Sequence, residues 1–295
     1  MKMRRQFYSF LLLAVLLSAC RVGKGEKPLI GGTYDYPSGE VRVEDTGYIA
    51  ESENSDEDTY PADEMQSELE RMIPAPLTDR AEQILWRVGY ATSYNRDTRI
   101  PNWTAWLLKG EHTSGAHKRQ GVKYHEDDDV PSPKATNDDY YNSGYDRGHM
   151  CPAGDNKWSA QAMEECFLFT NMCPQNHNLN GGDWNELEMQ CRKWAKQYGE
   201  IYIVCGPILF RSAHKTIGKN KVVVPEAFFK VVLRMGDEPK AIGFIYRNQA
   251  GNRPKGDYVN SLREVQRITG ITFFPQLPSD VREQILDDSD LDDWW

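Results

Sequence analysis

The sequence predicts an α+β fold, a mainly antiparallel sheet with helices packed on it, from three observations. Apolar runs of strand length, rich in β-branched and aromatic residues, recur over 201–205, 222–224, 228–235 and 241–246. Two other stretches carry helical spacing instead. One sets Trp184, Leu187, Cys191, Trp194, Ala195 and Tyr198 on one face, with Asn185, Arg192, Lys193 and Lys196 turned the other way; the second runs over 258–268 and stops at Gly270. Finally, residues 76–279 form a stretch of about 200 residues, long enough for a single substantial core. The chain has no internal repeat and no Gly-rich phosphate-binding loop, which removes solenoids and nucleotide-binding α/β folds.

The N-terminal part reads differently. Lys2, Arg4 and Arg5 precede an apolar run over 7–19, too short for a typical transmembrane helix, so 1–19 is expected to be a signal peptide. It closes on Leu17-Ser18-Ala19-Cys20, which looks like a bacterial lipobox. That implies cleavage before Cys20, lipid on its thiol, and an exported cell-envelope lipoprotein at the outer membrane or cell surface, facing the periplasm or the exterior. Several acyl chains would hold it stably, at about 0.8 kcal/mol per buried methylene. Residues 20–75 read as an acidic disordered tether: over 21–75 there are 14 Asp and Glu against 5 Lys and Arg, with few large apolar groups. Part of it, 63–72, is compatible with a helix.

Within the domain over 76–279, a short helix is expected over 77–86 and strands over 89–94, 103–109 and 167–172. The acidic run 126–129 lacks the Gly and terminal Glu of a calcium loop, so a solvated turn is expected there. His112, His117, His125 and His214 lie in polar stretches and are expected at the surface. Residues 280–295 read as an acidic C-terminal tail. Without the tether, signal and tail, the domain carries 26 Lys and Arg against 23 Asp and Glu, a net +3 in place of −9 for the whole chain. The overall acidity therefore does not exclude a polyanionic substrate, because steering follows the local field, where Lys118, Arg119, Arg147 and Lys157 could gather. Besides Cys20 there are five cysteines, and export makes two disulfides plausible, with Cys151–Cys173 and Cys191–Cys205 preferred. A zinc site on Cys166, Cys173 and His177 fits no paired ligand spacing.

The chemistry is concentrated in Tyr145-Asp146-Arg147-Gly148-His149-Met150, Asn171-Met172-Cys173-Pro174-Gln175, and the segment from Asn180 through Glu188. An imidazole, a guanidinium, two amides and a carboxylate within about 40 positions are what a metal-assisted attack on a phosphodiester requires. His149 can take a proton near neutral pH. Arg147 offers planar donors to phosphate oxygens, and Gly148 lets the backbone turn sharply or approach a ligand closely. Asp183 and Glu186, three apart, are expected to form a capping box at a helix start. Glu188 falls on the inward face, where a carboxylate is costly unless paired or serving a metal. Asn180 is a neutral oxygen ligand, suited to Mg²⁺, with Mn²⁺ also possible.

These motifs, in this order and spacing, resemble the DNA/RNA non-specific endonucleases typified by the Serratia nuclease and mitochondrial endonuclease G, over about 76–277. The chain departs from the commonest pattern at Met150-Cys151 and at Thr170, neither of which removes a catalytic group. The resemblance implies the ββα-metal (His-Me finger) arrangement, two strands and a helix around one ion, and activity on DNA and RNA. It further implies His149 as general base, Asn180 as direct metal ligand and Glu188 as a carboxylate bonded to the ion's water. Arg147 and Arg119 would stabilise the phosphorane, and Asn171 would support the geometry. A non-catalytic nucleic-acid-binding or uptake lipoprotein on the same fold is the alternative. Fold alone does not exclude a phosphodiesterase for small nucleotides or lipids.

Overall fold

The computed structural model describes residues 62–295; the expected signal peptide over 1–19, the lipidation site Cys20 and the tether up to residue 61 lie outside the described residues. In chain order the elements are α1 (Ala62–Glu70), β1 (Gln83–Trp86), β2 (Ala91–Asn95), β3 (Ile100–Lys109), α2 (Asn137–Tyr140), β4 (Asp146–His149), α3 (Ala160–Glu165), β5 (Met172–Gln175), α4 (His177–Gly181), α5 (Asp183–Tyr198), β6 (Glu200–Ile208), β7 (Thr216–Ile217), β8 (Val222–Val223), β9 (Ala227–Arg234), β10 (Lys240–Arg247), β11 (Val259–Asn260), α6 (Leu262–Thr269) and α7 (Ser279–Leu286). Seven strands make one sheet in the order β1-β2-β3-β6-β9-β10-β11, every pairing antiparallel. β4 with β5, and β7 with β8, form separate two-stranded ribbons.

The sheet is covered on both faces, which is why its inner strands are almost continuously apolar instead of alternating with polar residues. Ile201, Ile203 and Cys205 of β6 and Phe228 and Val232 of β9 face the core that also holds Trp184, Leu187 and Trp194 of α5. Tyr202 and Val204, with Phe229, Val231 and Leu233, face a second core with Leu69 of α1, Leu262 and Val265 of α6, and Ile285 of α7. The period-two side-chain rule assigns successive residues to opposite layers. α6 ends at Gly270 in the left-handed conformation (φ 70°), as its sequence predicts.

Several expectations are corrected. The stretch 77–86 ends in strand β1, not a helix, because Gln83–Trp86 pairs along β2 from Tyr94 to Ala91. The strand expected over 167–172 is a 3-10 turn at Phe169–Asn171 followed by β5. The disulfides do not form: Cys151, Cys166, Cys173, Cys191 and Cys205 are all free and buried. Burial raises their pKa values, and each thiol packs in the apolar layer under the hairpin and α5. The segment 280–295 is not a loose tail, since it holds most of α7 and buries Trp294 4.8 Å from the Trp194 ring, while Asp293 pairs with Lys240 at 2.7 Å. His112 is buried rather than exposed, stacked on Trp158 at 4.6 Å, with its pKa lowered to about 4, mainly by burial.

The acidic run 126–129 is only partly a solvated turn. Asp127 is buried, paired with Arg87 at 2.6 Å, and accepts a hydrogen bond from the Thr170 hydroxyl at 2.6 Å. This ties the loop to β1 and to the turn ahead of β5. Burial opposes the charge on Asp127, but the Thr170 and Arg87 bonds outweigh it and hold the carboxyl below its ordinary 3.8. Its stabilisation is therefore present at neutral pH and is lost as pH falls below that value. Asp127→Ala leaves Arg87 buried without its main partner, and urea unfolding at pH 7 should show a loss of about 3–5 kcal/mol; a loss under 1 kcal/mol would mean that the pair is replaceable by water.

Candidate active site

The β4–β5 ribbon pairs Asp146 with Gln175, Arg147 with Pro174, Gly148 with Cys173 and His149 with Met172. Pro174 fits because a two-stranded ribbon leaves one side of each strand unpaired. Gly148 is needed here for a reason the sequence does not reveal. It lies mid-strand, and a Cβ would stand 2.6 Å from the Gln175 Cβ, so it admits a neighbouring side chain and makes no turn. Beyond β4, Asn171 closes the connection: its amide donates to Cys151 O (2.9 Å) and Cys166 O (2.8 Å), and its Oδ1 accepts from Cys151 N (2.9 Å). Asn171 thus fixes the backbone two residues after His149 and does not line the cleft.

Opposite the ribbon, α5 presents a second face. Asn185, Glu188 and Arg192, three and four residues apart, line a cleft of about 360 Å³ with Arg119, Tyr124, Arg147, His149, Lys157 and Asn180. Asn185 and Arg192 were expected to point away from it. The helix has in effect two inward stripes, one apolar on the sheet and one polar on the cleft. Lys193 is exposed, and Lys118 is exposed beside Arg119 without lining the cleft. The expected capping box is absent: Gly182 is the N-cap, without a side-chain cap bond. Asp183 instead accepts from the Asn252 N–H at 2.8 Å and from the Tyr258 hydroxyl, tying the 251–258 loop to the helix start.

His149 sits edge-on to Phe167 at 4.9 Å and tilted against Tyr124 at 5.7 Å; its Nε2 is buried with no hydrogen-bonding partner among the described residues. Burial, and after it the Arg119 charge, lower its pKa to about 3. The ring is therefore neutral at physiological pH, with a lone pair free to accept a proton. Glu188 moves the other way, to about 7, because burial disfavours its charge and Asp155 adds to the effect against the pull of Lys230, Arg192 and Trp184. Arg192 is held by Asp155 at 2.8 Å, and Asp155 also accepts from the Trp106 indole at 3.1 Å. Gly154 leaves room for that guanidinium, as a Cβ there would lie 2.8 Å from Nη1.

Asn180 lies in the short helix α4, not in a loop. Its Nδ2 donates to Asp146 at 2.9 Å, and the His177 Nδ1 lies 3.0 Å from the same carboxylate. With the amide nitrogen engaged, the oxygen of Asn180 is the atom left for the cleft. Arg147 donates to Asn137 Oδ1 at 2.7 Å and lies over the rings of Tyr124 (5.2 Å) and Tyr140 (5.7 Å). Arg119 is exposed on the rim, over Phe167 at 5.7 Å. His149, Arg147, Arg119, Glu188 and Asn180 thus meet in one cleft. Sequence reasoning missed Arg192, Asn185 and Tyr124; the spacing of the first two from Glu188 carried the signal.

The two shifted groups have opposite linkage. A folded pKa of about 3 for His149, below its ordinary 6.5, makes stability rise with pH across that window; a folded pKa of about 7 for Glu188, above its ordinary 4.5, makes stability fall between those values. In a metal-chelating buffer, Glu188→Gln should therefore gain stability over the parent as pH rises from 4.5 to 7, by at most about 1.4 kcal/mol per unit, and hold that gain above. A difference independent of pH, measured by urea unfolding, would show that Glu188 titrates normally.

The residues gathered here recur in known proteins. A family model for DNA/RNA non-specific endonuclease matches residues 69–280. The mitochondrial nuclease EXOG of Xenopus laevis is 35% identical over 209 residues, 65% of this chain and 58% of that protein. Nuclease C1 of Cunninghamella echinulata var. echinulata is 37% identical over 214 residues, 67% and 84% of the two chains. Mitochondrial endonuclease G of Bos taurus is 31% identical over 209 residues, 66% and 70%. The chain spans less than two thirds of the length of the EXOG relatives, 58% in the frog protein and 56% in the mouse one. The crystal structure of an EndoG/EndoGI complex superposes with a TM-score of 0.68 at 26% identity, covering 74% of this chain and 92% of that one. Its ββα-metal fold is the one built here by β4, β5 and α5. With a matching fold, a family model over 69–280 and relatives above 30% identity, the chain belongs to the DNA/RNA non-specific endonuclease family.

Proposed function

We propose that this protein is a Mg²⁺-dependent endonuclease that hydrolyses phosphodiester bonds of DNA and RNA with little sequence preference, and that it is exported and anchored to the cell envelope through Cys20. The observation that carries the activity is one cleft holding a neutral imidazole, two guanidiniums, an amide oxygen and a carboxylate. His149, uncharged and with a free Nε2, accepts the proton of the attacking water. Arg147, braced by Asn137, and Arg119 meet the charge that grows on the phosphorane oxygens.

The donor set fits a hard, hydrated cation. Asn180 offers its oxygen because Asp146 occupies its nitrogen, Glu188 adds a carboxylate, and neither soft thiolate nor imidazole faces them. Asn180 would hold the ion directly and Glu188 through its water. A bound Mg²⁺ would supply the positive charge that stabilises the leaving alkoxide. Contacts to phosphate position the chain without reading bases, so cleavage should ignore sequence, and attack by water with loss of the 3′ oxygen needs no 2′-hydroxyl. The positively charged start, apolar run and Cys20 support export and lipidation.

Purified protein should degrade plasmid and RNA with Mg²⁺ and stop on adding EDTA, leaving 5′-phosphates; cleavage confined to a chromogenic small diester, or 3′-phosphate ends, would overturn this reading. His149→Ala should lower turnover by about 10² to 10⁴ with duplex affinity nearly intact. A near-normal rate would exclude it as the base.

A further inference from the structure

Two positive charges in one small cleft repel each other, and a long arginine at the rim has many rotamers to lose before it can act. Arg147 is already restrained on one side by Asn137. Arg119 is exposed, and no ion pair or geometric hydrogen bond of its own holds it. Between them stands Tyr124, half-buried and lining the cleft. Its ring face carries the Arg147 guanidinium at 5.2 Å, and its phenol oxygen faces Arg119, whose charge and hydrogen bonding act on the hydroxyl. The ring also borders His149 at 5.7 Å. Tyr124 is itself fixed, edge-on to Phe167 at 5.1 Å and stacked with Phe169 at 6.2 Å.

We propose that Tyr124 is the positioning residue of this site: its ring face and its hydroxyl set Arg147 and Arg119 side by side, so that both guanidiniums converge on one phosphodiester. The substrate part rests on the phosphodiester reading above; the positioning part does not. The negative face of the phenol offsets the charge of Arg147. Its oxygen gives Arg119 an acceptor on the cleft side of Phe167, the only other ring the structure sets under that guanidinium. Neither arginine then has to be ordered at the moment of reaction, which is how preorganised donors accelerate a step that develops charge. A tyrosine present only to fill the aromatic cluster with Phe167 and Phe169 would need no hydroxyl.

Two variants separate these roles. Tyr124→Phe keeps the ring and its packing and removes the acceptor; Tyr124→Leu removes the face under Arg147 as well. On the full chain, ¹⁵N relaxation of the arginine Nε groups reads the positioning directly, with or without turnover. Arg119 should be ordered in the parent and mobile in Tyr124→Phe, while Arg147 loosens only in Tyr124→Leu. Single-turnover cleavage of one duplex at saturating Mg²⁺ gives the second readout. Tyr124→Phe should slow it by about two- to tenfold, the fold-change of one lost hydrogen bond, and should cause no further slowing in an Arg119→Ala background, whereas Lys193→Ala should change neither. Arg119 equally mobile in parent and Tyr124→Phe, or rate losses that multiply independently in the double variant, would overturn the proposal. Ordered arginines in a parent protein that cleaves nothing would leave the positioning role standing and remove the substrate reading.

Discussion

The seating of α5 on the sheet is the contact on which the site depends. Trp184, Leu187, Cys191, Trp194 and Ala195 are all essentially inaccessible and form a single stripe against Phe228, Val232, Ile242 and Phe244. Side chains on a helix turn through about 100° per residue, so pinning that stripe leaves only one direction for Asn185, Glu188 and Arg192, toward the β4–β5 ribbon. The helix is held at its first residue by the bonds to Asp183 from Asn252 and Tyr258, and it ends at Gly199, whose φ of 87° suits glycine. A rigid element carrying half of the functional groups is what precise chemistry needs.

Burial then does two different things to the two titrating groups of the cleft. It disfavours charge in both, which drives the imidazole of His149 down to about 3 and the carboxyl of Glu188 up to about 7. The outcome is a neutral base on one wall and, on the other, a carboxylate whose charge answers to its neighbours. Those neighbours are unusual. Lys230 is fully buried in the middle of β9, its Nζ 4.5 Å from the Trp184 ring and 5.2 Å from that of Trp106, with no hydrogen-bonding partner among the described residues. Two indole faces offset part of the cost of keeping an ammonium there. Its field, with that of Arg192, opposes the desolvation of Glu188.

The scaffold beneath the catalytic histidine is polar but fully satisfied. Asn171 spends all its amide atoms on the backbone of Cys151 and Cys166, and Asp127 bridges Arg87 and Thr170. These groups join the turn before β5 to the strand that carries His149 and to the sheet edge. Loss of one partner in such a network costs more than the net worth of the bond, because the other is left buried without water. The free cysteines around it act as small apolar side chains, not as cross-links.

Local patterns in the sequence were enough for the α+β class, for β6, β9, β10, α5 and α6, and for the set of His149, Arg147, Arg119, Asn180 and Glu188. Each of these rests on periodicity or on a short motif, and both are readable along a chain. The structure decided what depends on residues far apart in sequence: that 83–86 pairs as a strand, that Gly148 serves the Gln175 side chain, that Asp183 receives Tyr258 in place of capping its own helix, and that Asp127 is buried on Arg87. Arg192 and Tyr124 became part of the site only when α5 and the 119–125 loop were brought to the same cleft. A sequence states which chemical groups are present and in what local rhythm; which of them lose their water together, and so change their charge and reach, follows from contacts between distant segments.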